Sequence, residues 1–322
     1  MLKAIKNSIL LLIGIGLMWL VLRNMDINSL IQTLKQANYW LLIPVMAVTA
    51  LGYVCRIKRW QLLYQNLVLK VNFRAAWIAL CACYLVSYAI PRGGEVTRCL
   101  LIQRYHRIPF HQSFATIIME RLVDTLVLLL LVLLILVLNV QQTQQFFMQN
   151  MINPLADKFT FTQLWIAAAL FITALVLLFL YTNRAVKSAG SNWFDEFLQA
   201  MKQLLKLKNK LPFVLYTLAI WLGYFLMTYL WVFAFPQSAT LSPAQVFTIM
   251  IVGTIGKSVP IQGGGMGAYH YLVAQAFLLF GVGLITGNAL AIIIHGAQTL
   301  YTIITGSSAY LMLMFDEKKR NL

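Results

Sequence analysis

Arg92, Glu95 and Arg98 surround a Gly93-Gly94 pair that follows Pro91. An arginine fork holds a phosphate through two parallel N–H donors, and a helix restarting after the glycines adds its free amides to the same site. Three-residue spacing places Glu95 and Arg98 on one helical face, so this break in the chain suits an anionic head group. The same residues could instead do no more than neutralise one another at a buried tip. A second constellation, Glu120, Arg121 and Asp124, opens a run that is otherwise almost purely apolar to Leu138. From a helix start near His111, Glu120 and Asp124 lie about 14 and 20 Å along the axis, which is membrane depth. Intramembrane charges commonly mark a pathway, although an ion network that only stabilises the bundle is affordable. Starting the span at Leu122 would instead leave these charges outside the membrane. A third group follows Lys257: Pro260, Gln262, then Gly263, Gly264, Gly265 and Gly267, then Tyr269 and His270, with His295 and Gln298 further on. Its glycines permit close backbone approach.

These residue types do not define a catalytic centre. Cys55, Cys81, Cys83 and Cys99 have no C-x-x-C spacing and no partner histidine, so they read as packing residues. His270 and His295 share no metal-ligand spacing, and the glycine run lacks the Lys-Ser/Thr of a nucleotide-binding loop. No catalytic residue, metal or cofactor is expected. Glu120, Asp124, His270 and His295 are the candidates for a proton relay, against the plainer reading of the two histidines as packed core.

The elements that must position these groups are membrane helices. The 322 residues are 61% hydrophobic and 11% charged, with a mean hydropathy of +0.77, well beyond a soluble domain. Apolar stretches at 9–22, 39–54, 117–138, 164–181, 211–235 and 289–315 approach the roughly 20 residues needed to cross the hydrocarbon. The first ends in Arg23-Asn24-Met25-Asp26 with no small-residue cleavage site, and reads as a retained span rather than a signal peptide.

The net charge of +16 is distributed as membrane topology demands, not as a nucleic-acid surface. Basic residues gather before 9, at 56–74, at Arg104 and Arg107, at 184–210 and at 318–320, whereas the opposite side holds only Arg23, Lys35 and Lys158. This alternation puts both termini in the cytoplasm, provided the two segments with glycine breaks return to the side they entered from. Residues 73–108 then form a hairpin re-entering from the cytoplasm, and 242–281 a hairpin re-entering from outside. Phe73 lies 18 residues before Pro91 and Ser242 lies 18 before Pro260, so the hairpins also align in sequence. The expected fold is an all-α polytopic membrane protein with six transmembrane helices and two opposed re-entrant broken-helix hairpins in an inverted repeat. The single membrane domain, 1–322, divides into a first repeat at 38–139, an amphipathic linker helix at 193–210 and a second repeat at 211–315. Inverted-repeat transporters bind their cargo near the midplane, at such broken helices.

The elements Pro91-x-Gly93-Gly94-Glu95-x-x-Arg98, Glu120-Arg121-x-x-Asp124, and Pro260 with Gly264, Gly265 and Gly267 give the chain a resemblance to a known family. It resembles the flippase-like integral membrane family that includes the transmembrane domain of lysylphosphatidylglycerol synthases. The resemblance runs from the first span to the last and implies lipid translocation, notably of aminoacylated phosphatidylglycerol. Tyr269-His270 stands where many members have Arg-Glu, and His295 where an arginine is common, so the resemblance does not carry a particular lipid with it. The aminoacyltransferase domain of the full synthases is lacking, so lysine transfer is not expected.

The resulting expectation is a flippase of the cytoplasmic membrane, moving an anionic phospholipid or polyprenyl-linked lipid and binding no nucleic acid. Arg92, Gly93, Gly94, Glu95, Arg98, Glu120, Arg121 and Asp124 would form one side of the site. Gln262, Gly263, Gly264, Gly265, Gly267, Tyr269 and His270 would form the other. The alternatives are a membrane enzyme acting on a lipid head group, with Glu95 or Asp124 as acid or base, and a membrane scaffold without transport. Monomer and homo-oligomer are equally compatible with the sequence.

Overall fold

A computed structural model describes residues 26–90, 93–138, 193–259 and 261–320, with isolated positions 16, 19 and 23 before them. Among the described residues the regular structure is entirely helical. The expected spans at 9–22 and 164–181 fall outside this description, the three isolated positions aside. Pro91, Arg92 and Pro260 lie outside it as well.

A short helix α1 (Ile27–Lys35) begins at Asp26, whose carboxylate accepts the Asn28 amide at 3.0 Å. Beyond a 3-10 turn, α2 (Leu42–Asn66) continues well past the apolar run that ends at Val54. No glycine or proline interrupts residues 53–66, and Arg56 and Arg59, which follow Val54, find carboxylate partners inside the protein. A hairpin comes next, α3 (Phe73–Ala89) and α4 (Gly93–His106), packed along each other. Asn72 caps α3 by accepting the Ala75 amide at 2.7 Å. Helix α5 (Phe110–Leu138) starts one residue before the expected His111, and so carries Glu120, Arg121 and Asp124 in its first half.

The second half repeats this order. Helix α6 (Trp193–Leu205) lies against α5 and buries Ala200 and Leu204. Helix α7 (Lys210–Trp231) packs on α2. Ser242 and Gln245 then form a reciprocal capping box with Pro243 in the first turn, which starts α8 (Pro243–Ser258). A glycine loop, 262–267, separates α8 from α9 (Ala268–Leu279), and α10 (Leu284–Arg320) closes the bundle. Among the described residues three helical segments are long and apolar enough to cross a membrane: Tyr39–Asn66, Lys210–Ala234 and Leu284–Asp316.

Each half has its own apolar core. Ile57, Trp60, Ile78, Leu80 and Ile102 centre the first, and Trp231, Val246, Phe277, Ala289 and Leu290 the second. The halves are joined where α2 meets α7, where α10 lies on α3, and where the glycine loop touches α3. At the far end of α10, Asp316 accepts hydrogen bonds from Arg74 at 2.7 Å and Tyr105 at 2.8 Å. One carboxylate thus holds the start of α3 and the end of α4 together.

Candidate functional site

Glu120 is the hub of a buried ion network. It is 1% exposed and touches three guanidinium groups: Arg56 at 3.0 Å, Arg59 at 3.5 Å and Arg98 at 2.9 Å. Arg59, fully buried, holds Asp124 bidentately at 2.6 and 3.0 Å, and its Nη1 also reaches the Thr217 hydroxyl at 3.3 Å. Arg56 lies 3.6 Å from Asp124 and donates to the Tyr224 hydroxyl. Arg98 stacks on the Trp60 ring, 3.6 Å from its centroid, and the Trp60 indole N–H donates to Thr116 at 2.9 Å. The network therefore ties α2, α4 and α5 together, with α7 at its edge. Buried carboxylates need such partners, because an unpaired charge in this setting costs several kcal/mol.

Arg56 and Arg59 are site residues that sequence reasoning missed. They fell into the basic segment 56–74, which charge alternation assigns to the cytoplasm, yet the structure buries both inside α2. Two signals were available: their three-residue spacing, and the need of Glu120 and Asp124 for counter-ions.

Beside the network lies a cavity of about 530 Å³. Both halves wall it, with α2, α3, α4 and α5 on one side and α7, α8, the glycine loop, α9 and α10 on the other. Arg56, Glu95, Arg121, Asp124, Lys257 and Gln298 supply its charged and amide groups, with Tyr84, Tyr88, Tyr224 and Tyr269 among its aromatic ones. Arg121 and Glu95 form a looser pair at 3.6 Å. Glu95 Oε2 is buried without a hydrogen-bond partner, and so is Arg121 Nε.

The predicted residues divide accordingly. Glu95, Arg121, Asp124, Gly264, Gly265 and Tyr269 line the cavity. Arg98 and Glu120 are locked in the network behind it. Gly94 is buried where α3 and α4 cross, while Gly93 starts α4 against Ile90 and Val86. Gly267 donates its amide to His270 Nδ1 at 3.3 Å, so His270 anchors the start of α9. His270 and His295 are both buried, with ring centroids 4.9 Å apart. Among the described residues no hydrogen bond joins this pair directly to Glu120 or Asp124. Gly263 and Gln262 open the glycine loop, while Arg92 lies outside the described residues. All four cysteines are free thiols, with Cys81, Cys83 and Cys99 buried.

Gly265 explains why the second break needs glycine. Its φ is +84°, and a Cβ there would sit 2.8 Å from the Gly256 carbonyl oxygen and 2.9 Å from Lys257 Cα. The loop thus rests directly on the backbone of α8. Gly265→Ala is expected to cost about 1–3 kcal/mol from crowding and left-handed backbone together, seen as a lower thermal unfolding midpoint in detergent.

The family model described as the lysylphosphatidylglycerol synthase TM region matches residues 7–306. A UPF0104 membrane protein of Methanocaldococcus jannaschii is 24% identical over 130 residues, which is 39% of this chain and 39% of that protein. The chain thus aligns with about two fifths of the length of that relative. No solved structure matches.

Proposed function

Because the chain belongs to the lysylphosphatidylglycerol synthase transmembrane-region family, we propose that it moves an anionic lipid head group across the membrane through the central cavity. The observation that carries this reading is the cavity itself: a space of about 530 Å³ between two broken-helix hairpins, lined by Arg56, Arg121 and Lys257 with Glu95 and Asp124. A cavity of that size accommodates a head group, and the acyl chains remain in lipid. The loosely paired Arg121 and Glu95 are the groups freest to exchange partners with cargo. Arg98 and Glu120, held on all sides, set the position of the wall.

In this reading the chain has six spans, α3–α4 and α8–α9 re-enter the membrane from opposite faces, and the two repeats at 38–139 and 211–315 are related by inversion. Both termini are cytoplasmic, in the cytoplasmic membrane. Substrate sites at the junction of such repeats are the general pattern of inverted-repeat transporters.

The test is reconstitution of the purified chain in liposomes containing fluorescent phosphatidylglycerol or phosphatidylcholine, following loss of inner-leaflet label. The wild type should move the anionic lipid faster than the zwitterionic one. Arg121→Gln should slow that movement about tenfold or more, the loss of one charge-assisted contact, while leaving the unfolding midpoint near wild type. Chemical conversion of a lipid without movement would sink the transport reading in favour of an enzyme.

A further inference from the structure

Charge accounting separates Lys257 from every other cavity-lining cation. Arg56 is paired with Glu120 and Asp124, and Arg121 with Glu95. Among the described residues no carboxylate lies within 4.0 Å of Lys257. The ammonium sits 4.8 Å from the centroid of the Tyr269 ring, which attracts it but does not cancel its charge. Lys257 is half-buried at the cavity wall, where an ammonium without a counter-ion is costly and a bound anion lowers that cost.

The surroundings of Lys257 point to the same ligand. Gly265 presses against its Cα, and Gly264 and Gly265 both line the cavity, so glycine-loop backbone and ammonium border one space. Opposite stands His295, 7% exposed, whose Nε2 faces Gly263 and Gly264 without a well-formed hydrogen bond. The position of a Cβ on Gly264 would be 3.3 Å from the Tyr88 ring and 3.6 Å from that Nε2. The bare Gly264 backbone therefore passes close against both rings.

We propose that Lys257, with the glycine loop and His295, is the phosphate-binding station of the cavity, taking a phosphate mono- or diester. This rests on the reading of the cavity as a head-group path. It puts the phosphate at the second break and leaves Arg121 and Glu95, across the cavity, for the rest of the head group. At the first break the described charges, Glu95 and Arg98, are paired with Arg121 and Glu120 of α5, whereas Lys257 at the second has no carboxylate partner among the described residues.

The experiment uses the full chain in dodecyl maltoside micelles, which contain no phosphate, titrated with dihexanoyl phosphatidic acid and separately with inorganic phosphate, and followed by tryptophan fluorescence, since Trp221 lines the cavity. Lys257→Gln should weaken binding about 10- to 100-fold, the loss of one charge-assisted hydrogen-bonded contact. Lys257→Arg should stay within a few-fold of wild type, and Lys58→Gln, an exposed lysine on α2, should change nothing. Dependence on Lys257 for the short-chain lipid assigns the station to a lipid head group. Dependence for inorganic phosphate alone assigns it to a free anion. Equal affinity of wild type and Lys257→Gln for both probes, or no binding by the wild type, overturns the station. A second measurement needs no ligand: Lys257→Met should hold or raise the unfolding midpoint of the empty protein, and a fall would show that the lysine has a structural partner. If the wild type moves lipid while Lys257→Gln binds normally, the station fails and transport stands. If binding depends on Lys257 and vesicles show no movement, the reverse holds.

Discussion

Glu120→Ala should yield a protein that unfolds about 10 °C below wild type, or fails to accumulate in folded form, when heated in detergent and followed by size-exclusion chromatography. The reason is stoichiometric. Glu120 is the contact that Arg56, Arg59 and Arg98 share, and Arg98 has no other carboxylate within 4.0 Å among the described residues. Its removal strands one guanidinium entirely and leaves two to divide Asp124. Breaking one buried ion pair costs about 3–5 kcal/mol, because the survivor stays in a medium that solvates it poorly. Asp124→Ala should be milder, since Arg59 keeps Glu120 at 3.5 Å and Asp124 faces the cavity. An unchanged midpoint for Glu120→Ala would mean that water reaches the network and that the charges are not buried.

Gly94→Ala should be nearly as severe, through sterics rather than charge. The added Cβ would stand 2.1 Å from the Cys83 carbonyl oxygen and 2.2 Å from Ser87 Oγ, far inside van der Waals contact. Backbone is the obstacle, so α3 and α4 must separate by roughly an ångström for normal contact to return, at about 1–3 kcal/mol or more. Arg98 stands one turn further along α4, and the separation draws it off Glu120 and the Trp60 ring. A fall of several degrees in the midpoint together with loss of lipid movement is the expected result. Gly296→Ala is the control: nothing lies within 4 Å of that Cβ, so helix propensity alone should leave stability equal or slightly raised, by under about 1 kcal/mol. A Gly94→Ala protein that matched this control would refute the close crossing of the hairpin legs.

These two residues also mark how far the sequence could be read. The breaks were legible because glycine and proline interrupt apolar helices visibly, and the matching distances to Pro91 and Pro260 made the hairpins a pair. That Glu120 and Asp124 lie well inside one long helix followed from a helix start near His111. Arg56 and Arg59 were not legible by the same means, because counting basic residues between apolar runs treats every arginine as solvated. What decides their place is whether a carboxylate on another helix meets them, and that is a fact of tertiary packing. The division of labour at the breaks was hidden for the same reason. The first break is rich in charge and therefore looked like the binding side, yet Glu95 and Arg98 are each paired with a residue of α5, Arg121 and Glu120. Lys257 was visible as a cation at depth, but its want of a partner emerges only when every carboxylate around it has been located.

The length of α10 carries a consequence of a mechanical kind. This single helix of 37 residues lies on α3 of the first hairpin and α9 of the second, and its end is fastened by Asp316 to Arg74 and Tyr105. It is a beam common to both hairpins. Neither hairpin could swing far without bending that beam or dragging its neighbour, so any displacement of one would be coupled to the other. The Asp316 fastening is one place where that coupling could be loosened: Asp316→Ala would release the start of α3 and the end of α4 from the end of α10, while α10 keeps its packing along α3.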